Sequence, residues 1–355
     1  MYSIMGSKFL ESMSEKKTRQ KYIDPELDKR NWIKKYVKEE VNSVKSDFVN
    51  NQFVFYDGHP EKGVDRFIDY LLLDEDLSPL AIIEAKNFFV DEKKGRIQAR
   101  TYAKDIEKQT KKKVPIFLTN GRIWRFIDEA GIERKISEPF SQEDLKRRAD
   151  LFTKRRKPSE VSINTRIVDR TRSKRIVRKL SEHFSEGHRK ALVHMATGTG
   201  KTRVAMAIID LLINANYVRN VLFIADRVAL VDQAKSDNFL EFFTEPVGDL
   251  REEFSTSKRL YVSTVQTLMG GSPKRTVERF SPAFFDLIVF DEAHRSYYDK
   301  NNFVNKYFDA IKIGLTATPR KFEAKNTFDL FECENGEPTV EYSYDEAITD
   351  GILVP

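Results

Sequence analysis

Cysteine is all but missing from this chain. Cys333 stands alone among 355 residues, so no internal disulfide can brace the fold, which suits a reducing cytoplasm. Long apolar runs are missing as well. Nothing approaches the roughly 18 consecutive apolar residues that a membrane span requires. Met1 to Lys17 also lacks the apolar stretch that a secretory signal carries. There is no internal repeat and no low-complexity tract. Acid is in slight deficit, 55 Asp and Glu against 61 Lys and Arg, for a net charge of +6. These absences lead us to expect a soluble intracellular protein with a modest leaning towards polyanionic partners, although a solvated basic surface explains the same charge.

What is present is a core and a heavily ionic surface. Hydrophobic residues make up 40% of the chain and charged residues 33%, and the length suits two domains. Residues 14 to 135 mix helical and strand patterns. Residues 137 to 175 are poor in apolar periodicity and dense in base, as in Lys146-Arg147-Arg148 and Lys154-Arg155-Arg156-Lys157. From Ala191 onward short apolar strands alternate with helical stretches, the pattern of a parallel α/β sheet. The expected division is a first domain over 1–136, a basic linker over 137–165 with a short helix at Gln142 to Leu151, and a second domain over 166–355.

In the first domain, Arg66 to Leu73 (RFIDYLLL) and Leu80 to Lys86 (LAIIEAK) read as two strands joined by the polar turn Asp74 to Pro79. Both are apolar on both faces, so they belong in the covered middle of a sheet. Carboxylates there are costly unless something compensates them. Asp69 lies in the first strand and Glu84 near the end of the second; Lys86, two residues on, shares the face of Glu84 because strand side chains alternate. A hairpin that sets Asp69 beside Glu84 makes an oxygen cage suited to Mg²⁺. Lys86 would then adjoin a scissile phosphate. Gly95 to Ile106 reads as a helix with Gln98 and Tyr102 four apart on one face. Asp65 rivals Asp69 but sits at the strand mouth. Glu15 and Glu39 or Glu40 are candidates for a further acid, or solvated helix faces.

In the second domain, the strand Ala191 to Met195 leads into Ala196-Thr197-Gly198-Thr199-Gly200-Lys201-Thr202, and a helix follows from about Arg203 to Ile213. Strand, glycine loop and helix is the context of a phosphate loop. Its backbone N–H groups and helix N-terminus face the phosphates, Lys201 reaches β and γ, and the Thr202 hydroxyl ligates Mg²⁺. Phe285 to Phe290 is a buried strand ending in Asp291-Glu292-Ala293-His294. Asp291 at such a strand tip can hold the Mg²⁺ shell, Glu292 can polarise attacking water, and His294 can couple the nucleotide site to other motifs. Small polar residues also follow strands at Ser263, Thr264 and Gln266 and at Thr316 and Thr318, and Val221 to Ala234 reads as strand then helix with Arg227 between. Each could be a cap or turn residue.

The series Asp69…Glu84-x-Lys86…Gln98-x-x-x-Tyr102 resembles the RecB-like branch of the PD-(D/E)xK nucleases. That resemblance implies an acidic pair binding metal, a catalytic lysine, and a glutamine and tyrosine supporting the site or the DNA. The second half resembles a superfamily 2 helicase, with VLFIADRVALVDQA, LYVSTVQTL and IGLTATP as motifs Ia, Ib and III, so that Arg227, Thr264 and Gln266 are implied DNA contacts. As a whole, from SEKKTRQKYIDPEL through PIFLTNG, MATGTGKT, STVQTL, DEAHRS and LTATP to YDEAITDGILVP, the chain is similar to the N-terminal part of the restriction and motor subunit of type I restriction-modification enzymes. The order, nuclease before motor, differs from type III subunits. The fold class implied is α/β, a mixed-sheet nuclease domain followed by one RecA-like P-loop domain. The cofactors implied are Mg²⁺ and ATP, and the partners are duplex DNA with the methyltransferase and specificity subunits.

Two departures from that pattern matter. A Tyr-Gln pair that reads adenine usually precedes the phosphate loop, and here Ser173 falls near the glutamine slot within Asp169 to Lys174. The second RecA-like domain, with its arginine finger, does not occur before Pro355, so the expected behaviour is ATP binding without efficient hydrolysis, as in a fragment. A stand-alone RecB-like repair or defence nuclease-helicase, and a non-catalytic nucleotide-gated DNA-binding module, fit the same motifs.

Overall fold

A computed structural model describes residues 14–43, 47–49, 52–54, 67–292, 298–317, 327–333 and 336–354. The chain divides into two compact units, Met1–Asp150 and Leu151–Pro355.

The first unit is built on a six-stranded mixed sheet. Its strands are β1 (Val37–Asn42), β4 (Phe67–Leu73), β5 (Pro79–Ala85), β6 (Ile116–Thr119), β7 (Trp124–Ile127) and β8 (Glu133–Ile136), hydrogen-bonded in that order. A separate hairpin pairs β2 (Asp47–Val49) with β3 (Gln52–Val54). All neighbours in the large sheet are antiparallel except β5 and β6. β4 and β5 are interior, as continuous apolar runs demand, and every residue of β5 is buried.

A helical run covers residues 15 to 29. It comprises α1 (Glu15–Thr18), a π turn (Arg19–Ile23) and α2 (Asp24–Lys29). Helix α3 (Arg96–Thr110) lays Ala99, Tyr102 and Ile106 onto the sheet face that carries Ile82, Ile116 and Leu118. The opposite face holds Phe117, Phe126 and Phe140, with ring centroids 4.8 to 5.3 Å apart.

The stretch expected to be a linker is ordered. Helix α4 (Gln142–Lys154) is longer than expected, and the division between the units falls inside it. Leu145 is buried, and the Arg148 guanidinium lies 5.1 Å from the Phe126 ring centroid. Arginine stems supply apolar cover that a count of apolar residues does not register. Further on, a 3₁₀ turn (Pro158–Glu160) is tied to the second unit through Arg178 and the Ser159 carbonyl, 2.7 Å.

The second unit is a seven-stranded, wholly parallel sheet. Its order is β11 (Val247–Asp249), β12 (Leu260–Thr264), β10 (Val221–Ala225), β13 (Leu287–Phe290), β14 (Ile311–Thr316), β9 (Lys190–Met195) and β15 (Val340–Tyr342). Alternation assigns the two faces. Val193, Met195 and Phe223 join a core with α5 (Thr171–Ser185), α6 (Lys201–Asn214) and α7 (Val228–Ala234); Leu192, Leu222 and Ile224 join an aromatic-rich core with Phe280, Phe285 and Phe308. Because every strand runs the same way, the C-terminal tips of β9, β10, β12, β13 and β14 share one edge, where ligands gather in such sheets. No described helix is long and apolar enough to cross a membrane.

Candidate functional sites

In the first unit the site is set by strand register. β4 and β5 pair Tyr70 with Ile83 and Leu71 with Ile82, so one step further Asp69 falls opposite Glu84. Directly opposed residues point to the same face with Cβ atoms about 5 Å apart. That face is the one α3 covers. The Asp69 carboxylate is held at Oδ2 by the Ala85 N–H, 2.7 Å, and at Oδ1 by Arg19, 3.4 Å. Glu84 has a side chain only 1% exposed. Its Oε1 accepts from the Lys86 ammonium, and its buried Oε2 has no hydrogen-bond partner. Lys86 is placed by its backbone N–H on the Thr119 carbonyl, 2.8 Å, and its Nζ also lies 3.6 Å from Glu15.

The electrostatics follow from this burial. Burial pushes the Glu84 carboxyl up to about 7; the bond to Lys86 works against that shift and the nearby charge of Asp69 adds to it. Burial also raises Asp69 above the usual carboxylate range. Burial opposes the charge on Lys86, but the hydrogen bond to Glu84 outweighs it and holds the ammonium above its ordinary value. Two opposed carboxylates, one with an unpartnered buried oxygen, are a donor set that fits a hard divalent cation. Among the described residues no group of three or more His, Cys, Asp or Glu gathers as a cage. Two carboxylates leave the remaining positions to water and phosphate oxygens, as Mg²⁺ prefers. Gln98 Nε2 donates to the Tyr102 hydroxyl, 2.6 Å, and burial followed by the Glu84 and Asp69 charges raises that phenol. Asp65 lies outside the described residues; Glu39 is exposed.

Two residues of this site were not singled out by the sequence. Arg19 sits four residues after Glu15, a spacing that put both on one helical face and was the available signal. Gly95, the residue before α3, runs so close to the sheet that a Cβ there would lie 2.4 Å from Glu84 Cγ and 3.0 Å from Lys86 Cε. Nothing in its neighbours marks that approach.

In the second unit, β9 ends at Met195 and α6 begins at Lys201. Between them Gly198 and Gly200 take φ of +83° and +94°, backbone that glycine alone adopts without strain. The buried Thr199 closes the loop by donating its hydroxyl to the Ala196 carbonyl, 2.6 Å. Thr197 and Thr202 flank it, the first exposed and the second half-buried. Lys201 Nζ lies 3.5 Å from Glu292 Oε1. Asp291 follows β13, and its N–H donates to the Ile224 carbonyl, 2.8 Å. Burial, then the Glu292 charge, push its carboxyl up to about 6. Glu292 itself has φ +54°, rare for a side-chain-bearing residue and often met where a site stores strain. His294 and Thr318 lie outside the described residues.

The expected DNA contacts occupy the same sheet edge. Arg227 is exposed after β10, with its Nε 3.7 Å from Asp226. Thr264 ends β12 and caps the following helix (Val265–Met269), its hydroxyl accepting the Thr267 N–H at 3.2 Å; Gln266 is exposed on that helix. Ser263 and Thr316 are buried. Ser173 is buried near the start of α5, while its neighbour Arg172 pairs with Asp350 at 2.8 Å and lies over the Tyr342 ring.

A family model described as "Type III restriction enzyme, res subunit" matches residues 166–321. Over 307 residues the chain is 30% identical to the type I restriction enzyme EcoAI endonuclease subunit of Escherichia coli, covering 81% of this chain and 37% of that protein. Over 210 residues it is 36% identical to the EcoKI endonuclease subunit of Escherichia coli K12, covering 50% of this chain and 17% of that protein. The chain thus spans well under half the length of either relative. A solved fragment of a putative HsdR subunit of a type I restriction enzyme from Vibrio vulnificus YJ016 aligns with a TM-score of 0.43 and 25% identity, over 96% of this chain and 61% of that one.

Proposed function

We propose that this chain, similar over most of its length to a type I restriction endonuclease subunit, joins a Mg²⁺-dependent phosphodiesterase site to the ATP-binding half of a DNA-translocating motor. The observation that carries the nuclease half is the opposition of Asp69 and Glu84 across neighbouring strands with Lys86 seated on Glu84. Asp69 and Glu84 would hold the cation, which when bound supplies Lewis-acid activation of the phosphate and of an attacking water. Lys86 neutralises charge at the same spot and is placed to hold the scissile phosphate or orient water. Gln98 and Tyr102, hydrogen-bonded to one another, support the site from α3.

The second unit would hold the phosphates of ATP with Gly198 to Thr202. Lys201, which pairs with Glu292, would hold the β and γ phosphates, and Thr202 with Asp291 would hold Mg²⁺. Glu292, released from that pairing, accepts the proton of the attacking water. Arg227, Thr264 and Gln266 line the edge for the duplex backbone. In the intact enzyme ATP hydrolysis drives translocation, with methyltransferase and specificity subunits as partners and sequence reading left to the latter.

Nicking of supercoiled plasmid in Mg²⁺ tests the first half. Asp69→Ala, Glu84→Ala and Lys86→Ala should each abolish nicking with the fold intact, and Gln98→Ala should slow it less. Equal nicking by wild type and Lys86→Ala would sink the assignment. No nicking by any form, with ATP still bound, would favour a nucleotide-gated DNA-binding module.

A further inference from the structure

Arg19 is a buried cation that the proposed chemistry leaves unused. Its side chain is 8% exposed, yet both terminal nitrogens are engaged by carboxylates: NH2 with Glu40 Oε1 at 2.6 Å and NH1 with Asp69 Oδ1 at 3.4 Å. Its guanidinium also lies 5.7 Å from the centroid of the Tyr70 ring, whose hydroxyl donates to Asp24 at 2.6 Å. The guanidinium is therefore pinned by an aromatic face and by Glu40, and its longer contact is the one it makes with Asp69.

The sheet explains why those groups meet. β1 and β4 pair Glu39 with Tyr70 and Val41 with Ile68, so Glu40 falls opposite Asp69, as Glu84 does from the other side. Glu40, Asp69 and Glu84 form one row across three neighbouring strands. At that point of the row, and nowhere else in β1, the backbone turns left-handed, with φ +52° at Glu40. A glutamate holds that conformation only where its surroundings over-determine it. The salt bridge to Arg19 is what the structure supplies. Three carboxylates in a row would repel one another, and Arg19 stands between the first two while Lys86 stands on the third.

We propose that Arg19, held by Glu40, is a positioning residue that fixes the Asp69 carboxylate towards Glu84, so that the pair is preorganised for a divalent cation. This rests on the reading of Asp69 and Glu84 as the cation-holding pair. Arg19 donates to Oδ1 at 3.4 Å while the Ala85 N–H donates to Oδ2 at 2.7 Å, so both oxygens are held. Asp69 thus keeps one orientation and still has lone pairs to offer. A site held in its productive geometry by supporting hydrogen bonds gains affinity because less order is lost on binding.

Mn²⁺ titration followed by electron paramagnetic resonance tests this on the 355-residue chain at fixed pH, without DNA or ATP. Arg19→Met keeps the stem and removes the fork; Mn²⁺ affinity at the first unit should fall about tenfold, within the 10–100-fold range for supporting residues. Arg19→Lys should recover part of the loss, and Glu40→Gln should lose several-fold although Glu40 is 67% exposed. Melting temperatures with no cation present show whether each variant folds; if Arg19→Met does not, Arg19→Lys and Glu40→Gln decide. Wild-type affinity in Glu40→Gln and in a folded Arg19 variant overturns the proposal, as does tighter binding in either. Asp69→Asn separates the two failures: if it binds Mn²⁺ as wild type does, the cation-site reading fails, whereas loss in Asp69→Asn alone leaves the site standing and removes Arg19 from it.

Discussion

Gly95→Ala adds one methyl group where the start of α3 passes over Glu84. Gly95 has φ −78° and ψ −6°, a right-handed conformation that alanine adopts freely. Backbone entropy alone therefore predicts stabilisation by about 0.4–1 kcal/mol, because alanine restricts the unfolded chain. Packing predicts the reverse. The new Cβ would lie 2.4 Å from Glu84 Cγ and 3.0 Å from Lys86 Cε, against an ordinary carbon contact of about 3.5–4.0 Å. Lys86 has a flexible end that can yield. Glu84 Cγ is mid-chain in a side chain 1% exposed and cannot move without shifting β5 or α3. Overpacking of this kind costs about 1–3 kcal/mol, so a net loss of about 1–2 kcal/mol remains. For a unit of about 150 residues that lowers the melting temperature by about 2–8 °C. Thermal melting measures it, and hydrogen exchange on peptides from 79–110 assigns the loss to the first unit. Mn²⁺ affinity should fall in the same variant, since Glu84 is the group displaced. An unchanged or raised melting temperature would show that α3 does not approach the carboxylate this closely.

Further outcomes follow from the second unit. Mg²⁺ with ATP should raise its melting temperature, by an amount equivalent to about 2.7 kcal/mol at a hundredfold excess over Kd, and Lys201→Ala should remove the shift. If Ser173 stands where the resembling family carries its base-reading glutamine, ATP and GTP should stabilise alike; a tenfold preference, about 1.4 kcal/mol, would place base recognition on another residue. Lys312 is buried in β14 and donates to the Asn305 and Phe308 carbonyls at 2.6 and 2.8 Å. Burial pushes it down from 10.5 to about 7. A lysine depressed in the folded state costs stability as pH falls from about 10 towards 7, where the unfolded chain takes the proton and the folded one does not. Denaturant titrations across that window should show the slope in wild type, and Lys312→Met should flatten it.

How much of this was legible depended on range. β4, β5 and β9 were readable because their apolar runs are local, and the faces of Glu84 and Lys86 followed from strand alternation. The glycine loop was readable because Gly198 and Gly200 must occupy left-handed backbone. The row through Glu40 was not: it depends on the register of β1 against β4, which no pattern inside VKEEVN encodes. Arg19 stood four residues from Glu15, but the worth of that spacing appears only once the helical run is docked on the sheet. The order in the basic stretch after Ile136 was hidden because part of the contact with Phe126 and Phe140 is made by the Arg148 guanidinium rather than by an apolar side chain.

The strand order of the second unit also fixes when, during synthesis, the glycine loop after β9 can exist. β9 precedes that loop, yet its neighbours in the sheet are β14 and β15. Both are made long afterwards, about 116 and 145 residues beyond Met195. At roughly 5–20 residues per second, the ribosome leaves β9 with two open edges for about 6–23 s. Until β14 emerges, the Ala196 to Thr202 loop has a strand behind it but no sheet to hold that strand. Nucleotide-assisted folding of this unit, under the proposed function, therefore begins only once residues near 316 have cleared the exit tunnel.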